Sequence, residues 1–270
     1  MKIGLSSMAK TLDERLFQDY QQAGIEAMEL SLEREGYAAL DDQKIKEWAD
    51  QYGVELWSMH LPFAPFEEID PSCEETKENA VSYFKELILR GVKMGIRRFV
   101  VHASGEPIAD EDRAKRMKCA KESLRELAEF ASQHGAIIAV EDLPRTCIGR
   151  DSAEIRELIS VHDALYVCFD TNHLLSEDPA HFVRELGDKI ITTHVSDYDF
   201  VDERHWLPGE GKIDWKALYQ AFLEVGYQGA WLYEIAFSDG SVKRARDLCC
   251  ADFVKNAKEI FSGKEPLPVE

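Results

Sequence analysis

Glu141, Asp170, His194 and Glu234 each close a short apolar run: IIAVE, LYVCFD, IITTH and WLYE. The same kind of ending recurs at Glu29 in IEAMEL, His60 in VELWSMH and His102 in RRFVVH. Seven such endings suggest strands whose carboxyl ends converge on one metal-containing site, where closed parallel barrels place their chemistry. Taken singly, any of these carboxylates reads as well as a helix cap or a lysine's partner. Taken together, Glu141, Asp170, His194 and Glu234 bring three carboxylates and one imidazole to a common centre. Carboxylates that close repel, and desolvation would force protonation unless a cation sits between them. A divalent ion resolves the conflict, and the oxygen and nitrogen donors suit manganese, magnesium, cobalt or zinc rather than copper(I) or an iron–sulfur cluster.

The elements needed to position these residues are legible in the hydrophobic period. Strand patterns centre on residues 3–5, 25–30, 54–60, 97–103, 136–141, 165–170, 190–195 and 230–235, and stretches of helical spacing separate them. Thr11 with Glu14 and Asp151 with Glu154 read as capping boxes, Asp178-Pro179 as an N-cap with proline in the first turn, and Asp214 as the cap of a helix burying Trp215, Leu218, Phe222 and Val225. Gly24, Gly53, Gly95, Gly135 and Gly226 stand where helices must end in a left-handed residue. One device used five times implies one repeated βα unit. Eight units with right-handed crossovers predict an α/β fold, a single (β/α)8 TIM barrel over residues 1–270 with its active site at the C-terminal ends of the strands. An open doubly wound sheet is the competing fold, but the first strand lacks a G-x-G-x-x-G turn.

Composition narrows the partners. With 45% hydrophobic and 31% charged residues, the chain reads as an ordinary globular protein, and no apolar run is long enough for a spanning helix. No export signal is evident at the N-terminus, which gives a cytoplasmic expectation with no membrane partner. The six cysteines show no C-x-x-C spacing and read as reduced. A formal charge of −19, from 51 acidic against 32 basic residues, argues against nucleic acid as a partner, since binding it depends on neutralising phosphates. Assembly into a homo-oligomer is compatible with the sequence.

The segments EDLPRTCIGR from Glu141, DTNHLL from Asp170, HVSD from His194 and YEI around Glu234 make a family visible by their order on successive strands. The chain resembles the xylose-isomerase-like TIM barrel superfamily, which includes sugar and sugar-phosphate isomerases, ketose epimerases, inosose-processing enzymes and endonuclease IV. The resemblance runs from the first strand through Glu234. It implies that Glu141, Asp170, His194 and Glu234 hold one divalent metal ion and that Glu141 and Glu234 are also catalytic. The implied activity is isomerisation or epimerisation of a small carbohydrate, a sugar or sugar phosphate. A metal-stabilised enediolate would form as one glutamate removes a proton and the other handles its return. His173, in D-x-x-H, would contact a substrate hydroxyl or carbonyl.

His60, His102 and His205 leave an alternative open. In endonuclease IV the corresponding histidines, with that of the D-x-x-H motif, bind further zinc ions, and Glu203 stands where the endonuclease has aspartate. These histidines serve equally to bind sugar hydroxyls, and the acidic charge favours that reading. An inosose-type dehydratase is a further alternative. The 3-epimerase subgroup expects an acidic residue and an arginine where this chain has Cys147 and Phe200, so substrate identity does not carry over. Phe63, Phe66, Tyr198, Phe200 and Trp206 are candidates for sugar packing, and Arg145, Arg204 and Lys212 for any phosphate. Trp57 is expected to pack in the barrel or under its helices, and Glu29 is left outside the metal site as a candidate pocket residue with no assigned role.

Overall fold

A computed structural model describes residues 1–269. Eight strands alternate with helices: β1 Lys2–Ser6, β2 Ala27–Ser31, β3 Glu55–His60, β4 Arg98–His102, β5 Ile137–Glu141, β6 Leu165–Asp170, β7 Ile190–His194 and β8 Ala230–Tyr233. The principal helices between and after them are α1 Glu14–Ala23, α2 Arg34–Ala39, α3 Asp42–Tyr52, α4 Phe66–Ile69, α5 Lys77–Met94, α6 Arg113–Gln133, α7 Ser152–Ile159, α8 Pro179–Leu186, α9 Trp215–Glu224 and α10 Cys250–Phe261. All named strand pairings are parallel, and the sheet runs β7-β6-β5-β4-β3-β2-β1-β8. The ring closes between β7 and β8 through a single parallel bridge, Val195 to Tyr233. Below it the Thr193 hydroxyl donates to the Ala230 carbonyl at 3.0 Å and accepts from the Leu232 amide at 3.2 Å, so a side chain stands in for part of the ladder. The chain forms the (β/α)8 barrel expected from the sequence.

Period-two alternation sorts each strand into two faces. On β5, Ile138 and Val140 join the large core beneath the helices, while Ala139 packs inside the barrel with Val100 and Cys168. Two residues further, the same parity turns Glu141 inward at the mouth. Val100 and His102, and Cys168 and Asp170, repeat the arrangement on β4 and β6. Ala27, Trp57, Ala230 and Leu232 fill the opposite end of the interior. Two register shifts adjust the parity, because Trp57 on β3 and Ile191 on β7 are skipped in their ladders. Bulges of this kind re-aim the residues that follow. Here they let Trp57 pack inside while Ser58 and His60 still face inward. Trp57 is capped by the Arg98 guanidinium at 3.5 Å from its ring centre and donates to Thr192 Oγ1.

The helix ends agree with local chemistry, with one correction. Asp13, not Thr11, caps α1 by accepting from the Leu16 amide, because the helix begins at Glu14 and leaves Thr11 too far upstream. Asp151, Asp178 and Asp214 cap as expected, although Glu154 turns to Arg113 and the Gly149 amide instead of completing a box. Val225 follows α9 as its C-cap residue. Gly24, Gly53, Gly95, Gly135 and Gly226 all have positive φ. All six cysteines are free, and no helix among the described residues is long and apolar enough to cross a membrane.

The long segment between β7 and α9 is pinned by one buried carboxylate. Asp197 accepts from the amides of Tyr198 (2.9 Å), Gly209 (2.8 Å) and Ile213 (3.2 Å) and from Trp215 Nε1 (2.9 Å). Asp197→Ala would leave these donors buried without an acceptor, at a cost of roughly 3 kcal/mol or more. Chemical denaturation should register that loss; a variant as stable as the parent would show that the loop is held some other way.

Candidate metal centre

Glu141, Asp170 and His194, which close β5, β6 and β7, converge with Glu234, which follows β8, and of these Glu141 and Glu234 line a cavity of about 740 Å³. One ligand atom from each of Glu141, Asp170, His194 and Glu234 lies within 4.8 Å of every other. Glu234 stands one residue beyond β8, with its amide donating to the Val195 carbonyl at 3.3 Å. His194 turns Nδ1 to this group, 3.0 Å from Glu141 Oε1, 3.5 Å from Glu234 Oε2 and 3.8 Å from Asp170 Oδ2. Asp170 Oδ1 accepts from the Asn172 amide at 2.7 Å, whereas Oδ2 is buried without a hydrogen-bond partner. An unpaired buried carboxylate oxygen, aimed at a cluster of like charge, is the arrangement a divalent cation satisfies. By donor type and convergence, the residues fit such an ion.

The electrostatics record the same tension. Burial pushes the Asp170 carboxyl up to about 6; His173 opposes the rise while Glu141 and Glu234 add to it. For Glu141, burial acts in the same sense, but His194 and His102 outweigh it and hold the carboxyl well below its usual range. Glu234 is likewise lowered, chiefly by His194 acting against burial. The His194 ring is raised well above its ordinary value: desolvation opposes the change, and Cys168 and the surrounding carboxylates, led by Glu234, outweigh it.

The outer histidines divide into two sets. His60 Nδ1 lies 2.9 Å from the Leu61 carbonyl and Nε2 3.0 Å from Glu141 Oε2. With an acceptor at each end, and with Glu141 overcoming the burial penalty, its ring rises to about 9. His102 Nε2 approaches the same Glu141 oxygen at 3.2 Å, but burial dominates and lowers it, and Phe63 stacks on the ring at 4.4 Å. Across the mouth, His173 is held between the Asp142 carbonyl (2.7 Å) and Glu203 Oε1 (2.9 Å). His205, with φ of 51°, lies 3.1 Å from the Glu234 carbonyl through Nδ1. His60, Glu141 and His194 also form a convergent donor group; His173, Glu203 and His205 do not, among the described residues.

Several expectations for the loops are corrected. Phe63 and Phe66 line the cavity, while Tyr198, Phe200 and Trp206 are not among its lining residues. Tyr198 is buried and donates to the Leu174 carbonyl, and Phe200 is partly exposed. Of the cations considered for a phosphate, only Arg145 lines the cavity, and Glu106, Asp202 and Glu203 occupy its guanidinium. Arg204 pairs with Asp199. Cys147 lines the wall with its thiol pushed up to about 12 by burial, so it offers no ready thiolate.

Lys10 escaped the sequence, and Glu29 carries no assigned role there. Lys10, in the loop after β1, lines the cavity and donates to the carbonyls of Met8 (3.1 Å) and Ile235 (2.8 Å), joining the first and last strand ends. Desolvation lowers its ammonium to about 7 against the pull of Glu234. No motif marks it; only its place just past a strand end does. Glu29, set aside as lacking a role, is fully buried beneath His194.

A family model described as xylose isomerase-like TIM barrel matches residues 17–250. An uncharacterised protein of Methanocaldococcus jannaschii is 27% identical over 244 residues, covering 85% of this chain and 82% of the relative. The D-psicose 3-epimerase of Enterocloster bolteae is 24% identical over 71% of this chain and 65% of its own length. Among solved structures, a D-tagatose 3-epimerase-like protein superposes with a TM-score of 0.84 over 97% of both chains at 23% identity, a likeness of fold. With the family model spanning most of its length, the chain belongs to the xylose isomerase-like TIM barrel family.

Proposed function

We propose that the protein is a divalent-metal-dependent isomerase or epimerase of a small sugar or sugar phosphate, with Glu141, Asp170, His194 and Glu234 as metal ligands. The observation that carries this reading is the convergence of those four donors, two of which, Glu141 and Glu234, line a cavity sized for a small molecule. The relatives whose names record an activity, D-psicose and fructoselysine 3-epimerases, support the reaction class. A bound divalent cation would supply Lewis acidity to a substrate carbonyl, making the neighbouring C–H more acidic.

The chain's own residues supply the proton handling. Glu141 and Glu234 arise three strands apart round the ring, so their carboxylates approach a substrate from different sides. One takes the proton from carbon, and the other holds or returns one. His60, tied to Glu141 and the Leu61 carbonyl, keeps Glu141 oriented, while His102 and His205 each offer a ring nitrogen for sugar hydroxyls; a hydroxyl at His173 would have to replace Glu203 at Nε2. Phe63 and Phe66 give the cavity an apolar wall that excludes water and packs against C–H surfaces.

A second reading, multi-zinc phosphodiester hydrolysis, draws on the additional His60, Glu141 and His194 group. Against it, Glu203 is already engaged by His173 and Arg145, and the net charge is −19. An inosose-type dehydratase would use the same donor group, with proton removal leading to loss of a hydroxyl.

Solvent exchange tests the reaction class. In deuterated water, NMR should show metal-dependent loss of a substrate C–H signal, and Glu141→Gln or Glu234→Gln should slow turnover by about 10²–10⁴-fold. Absence of exchange and turnover across aldoses, ketoses and inososes would overturn the proposal. Metal analysis should find one ion per chain, with abasic duplex left uncut; three ions and cleavage would favour the hydrolase.

Proton competition gives a separate check. Asp170 must be ionised and His194 Nδ1 free to bind the ion, so affinity should weaken as pH falls, first as the raised His194 ring takes up its proton and further as Asp170 does so through about 6, with protons released on binding. Calorimetry in buffers of different ionisation enthalpy measures both effects. Affinity that stays flat between about pH 5 and pH 8 would contradict this ligand set.

A further inference from the structure

Glu29 lies outside the donor group yet is as deeply buried as its members. Inward parity on β2 places it with Ala27 and Ser31, one layer below the mouth and level with Ser58 across the β2–β3 ladder. Its Oε2 accepts from Ser58 Oγ at 2.7 Å. Its Oε1 is 2.9 Å from Nε2 of His194, the nitrogen pointing away from the donor group. Both atoms are buried without a hydrogen-bond partner, the 2.9 Å approach lying off the N–H line in the present ring orientation.

We propose that Glu29 is a positioning residue for the metal centre, holding His194 in the Nε2–H tautomer so that the Nδ1 lone pair faces Glu141, Asp170 and Glu234. An imidazole carries one lone pair, and a carboxylate at one nitrogen commits the proton there and leaves the other free to ligate. Carboxylate partners of metal-binding histidines fix ring orientation and raise ligand basicity. Ser58 completes the relay by fixing the carboxylate, and the bulge beside Trp57 keeps Ser58 facing inward. The inference rests on the proposed metal site but adds a component that none of the four ligands supplies.

Cobalt(II) titration of the full chain, followed by visible absorption, tests it. Glu29→Gln removes the charge at nearly constant volume and should weaken cobalt binding by about 10–100-fold, with a changed ligand-field spectrum and unchanged far-UV circular dichroism. Ser58→Ala, which leaves Glu29 in place but unfixed, should shift affinity in the same direction by less; it decides the matter if the first variant does not fold. Cobalt affinity and spectrum equal to the parent in Ser58→Ala and in folded Glu29→Gln would overturn the proposal. Failure of the parent itself to bind cobalt would instead overturn the underlying metal site.

Discussion

Three carboxylates buried at one point are the constraint around which this barrel is organised. Glu141, Asp170 and Glu234 cannot all be buried at one point as free anions, and their neighbours are chosen accordingly. His194 sits among them, His60 and His102 lie against the outer oxygen of Glu141, and His173 contributes from the side. The surrounding imidazoles soften the repulsion without removing it, since one oxygen of Asp170 is left with no hydrogen bond. A strand scaffold meets this demand well, because each strand delivers one inward side chain to the mouth at a depth fixed by its parity.

A second layer of charge is arranged around that cluster. Arg145 adopts a left-handed backbone conformation and is held by Glu106, Asp202 and Glu203, which joins the loops after β4, β5 and β7. Glu203 in turn holds His173 and is itself drawn down to about 2: burial opposes the change, but His173 and Arg145 prevail. Glu210 and Arg244 form a buried bidentate pair between the loops after β7 and β8. The positive groups near the mouth are thus spent on loop geometry, which leaves little to attract a phosphate.

Much of this was legible in the chain because two local rules act without knowledge of the whole. Strand parity and left-handed glycines fix the βα repeat, and the repeat fixes which residues reach the mouth. Glu141, Asp170 and His194 were therefore placed by their position at a strand's end. Glu29 obeys the same parity but stops a layer lower, and nothing in IEAMEL reveals that His194, 165 residues later, stands above it. The partners of Arg145 were hidden for a related reason: three loops of irregular backbone supply them, and loop conformation has no period to read. Thr11 misled because Asp13, two residues on, is an equally good cap and lies nearer the start of the helix.

The thin closure between β7 and β8 bears on how the ring is held shut. Its single bridge and the Thr193 hydroxyl lie immediately beside His194 and Glu234, which come from opposite sides of that join. An ion ligated by both residues would act as a clasp across the weakest circumference of the barrel. Loading the site would then do mechanical work as well as chemical work, fastening the last strand to its neighbour and making the integrity of the hoop a function of the metal supply.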